Sequence, residues 1–221
     1  MRSYGEYCSL AKSLDVIGNR WTLLIVRELL LRGPSRYTDL RDGLPGIATN
    51  LLADRLRELE EEGLVAREEA PPPIATTLFR LTPRGEALRP VIERLILWGA
   101  PLMTLQDPKD IVRSHWLAFA LESMLSDQDP EGPSLTIELR TGDQPILLET
   151  RDGAVRARPG SAEHPDALLE GPPRPILGFL IGWIELADAE AAGVRQEGDV
   201  KALDRIRGLA ADAPATAARA A

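Results

Sequence analysis

Leu44-Pro-Gly-Ile-Ala-Thr-Asn-Leu-Leu-Ala-Asp-Arg-Leu-Arg-Glu-Leu-Glu-Glu-Glu-Gly63 decides how the chain is read: a Pro-Gly turn, a helix over about 48–62 and a glycine stop. Leu52, Leu56 and Leu59 recur at helical spacing and bury one stripe. Asn50, Ala53, Asp54 and Arg57 fall on the opposite side at about 100° per residue. Such a helix alone is ordinary, a core-packed element with a solvated back. Its neighbours give it meaning.

Upstream, Leu10, Leu14 and Ile17 mark a first helix over 8–17, ended by Gly18-Asn19. Asn19 is the candidate cap of a second helix, Trp21 to about Leu31, with a wide apolar face stopped by Gly33-Pro34. Ser35 is the candidate cap of a short third helix reaching about Gly43. Downstream, 64–68 and 77–81 read as strands around Ala70-Pro-Pro-Pro-Ile-Ala-Thr76, which successive prolines bar from a helix. This order predicts a winged helix-turn-helix, with the helix after Pro45 as recognition helix and the hairpin as wing. Thr82-Pro83 opens a further helix through Leu88, Val91, Ile92, Leu95, Ile96 and Trp98. Its surplus apolar surface reads either as a dimer seam or as packing on the first two helices.

Ala100 to Lys109, interrupted by two prolines, is the natural boundary. The expected division is 1–105 for DNA binding and dimerisation, 106–210 for an α+β module and 211–221 for a disordered alanine-rich tail. Ile111 to Ser126 reads as a helix buried nearly all round. The strands 135–140, 145–150 and 154–158, with turns at Thr141-Gly-Asp143 and Arg151-Asp-Gly153, read as an antiparallel meander with one buried face. Ala167-Leu-Leu169 and Pro175 to Ile184 read as further apolar helix, and Asp199 to Leu209 as a last amphipathic helix.

With 221 residues, 44% hydrophobic and 27% charged, the composition is that of a soluble globular protein. Its longest apolar runs, 23–26 and 176–184, fall short of the roughly 18–20 residues of a membrane span. Met1-Arg-Ser-Tyr-Gly-Glu-Tyr-Cys8 lacks the apolar core of a signal peptide, so a cytoplasmic location is expected. The net charge of −8 excludes bulk electrostatic coating of nucleic acid. Residues 1–100 hold 14 Lys or Arg against 14 Asp or Glu, and residues 101–221 hold 12 against 20, so an anionic partner must meet the first half locally.

The candidate DNA contacts are Arg36, Thr49, Asn50, Ala53, Asp54 and Arg57, with Arg80 near the wing. Arginine suits guanine or phosphate, and asparagine suits adenine. Arg55 projects on the flank, toward DNA or into an internal ion pair. Residues 70–76 carry no cation, which argues against contacts from the wing tip. Cys8 reads either as a small buried apolar residue or as a thiol at a helix start, the candidate redox or electrophile sensor. His115 and His164 lack partners at ligand spacing, so no metal or cofactor is expected. No phosphate loop, nucleophile elbow or zinc helix marks an enzyme.

Residues 8–100 resemble an HxlR-type winged helix-turn-helix regulator. The resemblance is carried by Cys8, Leu14-Asp-Val-Ile-Gly-Asn-Arg-Trp-Thr-Leu-Leu-Ile-Val-Arg-Glu-Leu-Leu30, Leu44-Pro-Gly-Ile47, Leu52-Ala-Asp-Arg-Leu-Arg-Glu-Leu-Glu-Glu-Glu-Gly-Leu-Val65 and Leu81-Thr-Pro-Arg-Gly-Glu-Ala-Leu88. It implies a homodimer built from the first and last helices of the domain, a palindromic operator on double-stranded DNA and, at Cys8, the position some members use to sense electrophiles. Ala48 departs from the family's usual Ser or Thr cap, which puts the cap at Thr49. Residues 110–209 are similar to a sterol-carrier-protein type 2 module, through Leu177-Gly-Phe-Leu-Ile-Gly-Trp183 and Gly193-Val-Arg-Gln-Glu-Gly-Asp-Val-Lys-Ala-Leu-Asp-Arg205. That similarity implies a cavity for a hydrophobic small-molecule effector, with Trp116, Phe119, Ile137, Leu139, Phe179 and Trp183 as candidate lining; the other reading is a packed core. The expected fold class is α+β, and the expected function is ligand-responsive transcription regulation. The alternative is a lipid-like carrier whose first half serves for dimerisation.

Overall fold

The computed structural model describes residues 3–70, 76–105 and 110–208. The expected disorder of 211–221 and most of the wing tip, 71–75, lie outside them. The chain divides into two compact units, 1–92 and 93–221.

In the first unit, α1 (Ser9–Ile17) and α2 (Thr22–Arg32) are followed by a two-residue strand, β1 (Ser35–Arg36), then α3 (Tyr37–Asp42) and α4 (Thr49–Glu61). β2 (Val65–Glu69) and β3 (Thr77–Leu81) form an antiparallel hairpin, and β1 adds to β3, giving the order β1-β3-β2. α5 (Pro83–Glu86) and α6 (Arg89–Gly99) follow. Ile25, Val26, Leu29, Leu40, Leu44, Leu52, Leu56 and Leu59 are all buried. Removing one of these leucines costs roughly 2–5 kcal/mol through lost transfer energy and the cavity left behind.

Three local expectations give way here. Asn19 does not cap α2 through its side chain; its carbonyl accepts from Thr22 N at 3.0 Å, and the N-cap position is Trp21, without a side-chain bond. Ser35 is a buried strand residue opposite Phe79, with its hydroxyl donating to Gly33 O at 3.0 Å, so Arg36 starts α3. The single helix expected from Pro83 to Trp98 is two. Pro90 has no N–H to donate to the carbonyl four residues back, and the chain turns at 87–88 before α6 begins.

The second unit opens on the end of α6 and a 3₁₀ segment, Ala100–Leu105, and continues with α7 (Ser114–Met124). No residue of α7 is exposed. β4 (Thr136–Arg140), β5 (Ile146–Arg151) and β6 (Ala154–Pro159) make the antiparallel meander. The turn at Asp152-Gly153 has positive φ at both residues, 52° and 74°, which suits a two-residue hairpin. β7 (Ala167–Glu170) is a strand parallel to β4, where a helix was expected; a three-residue apolar run has no period to separate the two. α8 (Pro173–Leu180), α9 (Leu186–Ala191), β8 (Arg195–Gly198) and α10 (Val200–Ile206) complete the unit. The sheet order is β6-β5-β4-β7-β8.

The meander's expected single buried face is also corrected. Ile137 and Leu139 lie on one face of β4, but Glu138 on the other is equally buried, with Leu147 and Leu168 as its register neighbours. The loop returning from β6 to β7 covers that side, and Ala162 N donates to Glu138 Oε2 at 2.8 Å. Arg205 of α10 grips Asp127 through two bonds of 2.6 and 2.7 Å and donates to Pro133 O at 2.6 Å. This fork ties the end of the unit to the segment after α7.

Candidate nucleic-acid interface

The turn before α4 is set by sequence: Ile47 N donates to Leu44 O at 3.1 Å, with Pro45 and Gly46 between. Gly46 has φ +87°, the left-handed value that the third position of a type II turn requires. α4 then starts at Thr49. The expected move of its cap to Thr49 does not occur; Ala48 occupies the N-cap in extended geometry without a side-chain bond. Tyr37 pins the helix start in a different way, its hydroxyl donating to Thr49 O at 2.6 Å. Beneath, Glu28 of α2 is fully buried, bound by Arg27 at 2.8 Å and Arg32 at 3.0 Å. Its carboxylate packs against Gly43, where an added Cβ would stand 2.4 Å from Oε2.

With Leu52, Leu56 and Leu59 buried to 0–2% exposure, the outer face of α4 presents Thr49, Asn50, Asp54 and Arg57, all exposed, and Ala53, half-buried. Between this face and the hairpin runs an open groove of about 580 Å³, lined by Arg36, Tyr37, Thr38, Ala53, Leu56, Arg57, Arg67, Thr76, Thr77 and Phe79. Arg36, Ala53 and Arg57 therefore come together. Arg80 does not: strand alternation places it on the face of β3 opposite Phe79, paired with Glu68 at 3.0 Å. Arg57 is held by Asp54 at 3.2 Å. Arg55 takes its internal reading, half-buried and paired with Glu58.

The sequence reading missed Arg67. It sits opposite Phe79 in the ladder, so its side chain shares the groove face; its guanidinium lies 5.4 Å from the Phe79 ring centroid and 2.8 Å from Glu60. Val65 and Arg67, two residues apart on β2, share a face, and that spacing was the signal available. Cys8 corrects the buried reading: it is exposed at the N-cap of α1, its carbonyl accepting from Lys12 N at 2.9 Å.

In the second unit, Ile137, Leu139 and Phe179 belong to one packed core with Leu121, Leu148 and Ile176, and Trp183 packs against it half-buried. Phe119 is buried and Trp116 half-buried. Among the described residues no group of three or more His, Cys, Asp or Glu is placed to hold a metal ion, and no helix is long and apolar enough to cross a membrane.

The family model for HxlR-like helix-turn-helix proteins matches residues 16–107. The HTH-type transcriptional regulator YvaP of Bacillus subtilis is 36% identical over 88 residues, 40% of this chain and 81% of that protein. The HTH-type transcriptional regulator YodB of the same organism is 32% identical over 90 residues, 41% of this chain and 80% of that protein. The solved reduced form of YodB has a TM-score of 0.40 at 30% sequence identity, covering 46% of this chain and 100% of that one.

Proposed function

This chain belongs to the HxlR-like helix-turn-helix family of DNA-binding transcriptional regulators, and on that premise we propose that α4 is its recognition helix, working in a homodimer under the control of the second unit. The observation that carries the reading is the division of α4 into a leucine stripe sealed in the core and an outer face of Thr49, Asn50, Ala53, Asp54 and Arg57. A helix face of this kind fits a major groove about 12 Å wide, where Asn50 reads adenine and Arg57 guanine or phosphate. Arg36, beside Arg57 in the groove, serves the backbone, whereas Arg80 on the far face of β3 is left out of this contact set.

Dimerisation is supported by two apolar stripes open to solvent, Tyr7, Leu10 and Leu14 at α1, and Val91, Leu95 and Trp98 along α6. A twofold dimer places its recognition helices one DNA turn apart, roughly 34 Å, or a multiple of it, and so reads a palindrome. The first half thus does more than the dimerising of the carrier alternative, since the relatives are named as transcriptional regulators.

Residues 106–210 are assigned as a sterol-carrier-like sensor for an apolar effector. The five-stranded sheet with α7, α8 and α10 supports this, and Trp116, Phe119, Ile137, Leu139, Phe179 and Trp183 are its candidate lining. An effector acts only by binding the DNA-competent and incompetent states with different affinity.

The test is operator binding after selection of genomic fragments on the purified protein. Asn50→Ala with Arg57→Ala abolishes the gel shift and leaves the oligomeric mass unchanged; undiminished binding refutes the assignment of α4. A thiol switch is a second reading, favoured by the exposure of Cys8 at the head of α1. Cys8→Ser then erases any loss of binding caused by a quinone or peroxide, and an unchanged response dismisses it.

A further inference from the structure

Residues 70–76 offer a phosphate no positive charge. The cation that the hairpin does present toward α4 is Arg67, at the midpoint of β2 and 56% exposed. When a helix fills a major groove, the phosphodiester strand bordering that groove runs alongside the helix. On the hairpin side of α4, the surface it meets is the groove over Phe79. That groove has three arginines in its lining, Arg36, Arg57 and Arg67, and no carboxylate residue. Among the described residues the Arg36 guanidinium makes no ion pair, whereas Arg67 is tied to Glu60, its Nε 2.8 Å from one carboxylate oxygen and 3.0 Å from the other. Ring packing on Phe79 and the pairing with Glu60 fix the Arg67 fork before any ligand arrives.

We propose that Arg67, rather than the wing tip, is the hairpin's contact to a DNA backbone phosphate, and that Glu60 sets the strength of that contact by competing for the same guanidinium. The inference rests on α4 being the recognition helix. Arginine suits the role because its planar fork matches phosphate oxygens in two parallel bonds. The neighbouring Thr38 hydroxyl adds a neutral donor of the kind that positions a backbone without reading bases.

The experiment measures affinity for a selected operator fragment and for an unrelated duplex of equal length, across a salt series, with thermal unfolding as a folding control. Arg67→Ala weakens both duplexes alike, on the order of tenfold, and lowers the slope of log affinity against log salt by about 0.9, the value of one released phosphate contact. Arg67→Lys keeps the slope. Glu60→Gln moves affinity the other way, tightening both duplexes.

An unchanged slope in Arg67→Ala, in a wild-type protein that binds its operator, overturns this inference alone. So does weaker binding in Glu60→Gln with an unaltered melting temperature. A groove that takes only free phosphate reveals itself by calorimetry as phosphate binding lost in Arg67→Ala with duplex affinity unchanged, which also refutes the proposal. A wild-type protein with no duplex affinity overturns the assignment of α4 and this inference with it.

Discussion

The foundation of α4 is tested most sharply by a double-mutant cycle between Glu28 and Gly43. Gly43 has φ −75° and ψ −8°, an ordinary right-handed conformation, so its backbone does not ask for glycine. Space does: a Cβ would lie 2.4 Å from Glu28 Oε2, and the carboxylate is fully buried between the two arginines. Gly43→Ala therefore costs about 1–3 kcal/mol by overpacking, less 0.4–1 kcal/mol from the stiffer unfolded chain, for a net cost of about 1–2 kcal/mol. Glu28→Ala leaves Arg27 and Arg32 without their carboxylate, an effect of about 3–5 kcal/mol for fully buried pairs. Arg32 is 37% exposed and rehydrates in part, so about 3 kcal/mol is expected. In the double variant the main obstacle to the methyl is gone, only the Asp39 carbonyl remaining close at 3.3 Å, and the Gly43 change turns nearly neutral. The pair then costs about 3 kcal/mol, against an additive sum of about 4–5 kcal/mol. Urea unfolding gives the three values, and hydrogen exchange of peptides spanning α2 to α4 localises them. Additivity within about 0.5 kcal/mol refutes the packing argument, because independent sites add to that precision.

Two further outcomes are expected. Leu95→Glu puts a charge on the open stripe of α6 in both copies; losing about 1.5–3 kcal/mol of burial per copy weakens a dimer by two to four orders of magnitude, read by sedimentation, and an unchanged mass rejects the seam. The bond from Arg205 holds the Asp127 carboxyl below its ordinary value. A depressed carboxyl contributes stability above its unfolded pKa of about 3.9 and loses it as pH falls through the folded value. The urea midpoint of the second unit accordingly drops below about pH 4, and Asp127→Asn is lower at neutral pH but flatter in that acid range; equal slopes refute it.

The elements legible in the sequence were those with a period or a stop. α1, α2 and α4 follow their leucine spacing, and β3 follows its alternation. The failures share a cause, which is that pairing partners far along the chain decide short segments. Ser35 looked like a helix cap because hydroxyls favour that position, but it is held by a ladder to Phe79, 44 residues away. Ala167 to Leu169 became strand because β4 offers a parallel edge, and parallel strands buried on both faces show continuous apolar runs instead of alternation. Pro90 was different: it stands in the sequence, and a proline is tolerated in the first turn of a helix but not in its interior, which fits a helix beginning at Arg89.

The interface was half legible for a related reason. Residues on α4 declare their face through helical period, whereas Arg67 declares itself only once its register with Phe79 is known. The structure also adds a property that composition hides. Arg57 is tied to Asp54 and Arg67 to Glu60, so the first half balances its 14 cations against 14 anions partly by pairing them where DNA is expected. A tethered arginine gains less from a phosphate, because the new pair replaces one already made. Operator and random DNA draw on the same phosphate contact, so the carboxylates lower affinity for both by one factor, while the base-edge bonds proposed for Asn50 are untouched and keep the ratio between them. Glu60→Gln should therefore tighten both duplexes and leave that ratio unchanged.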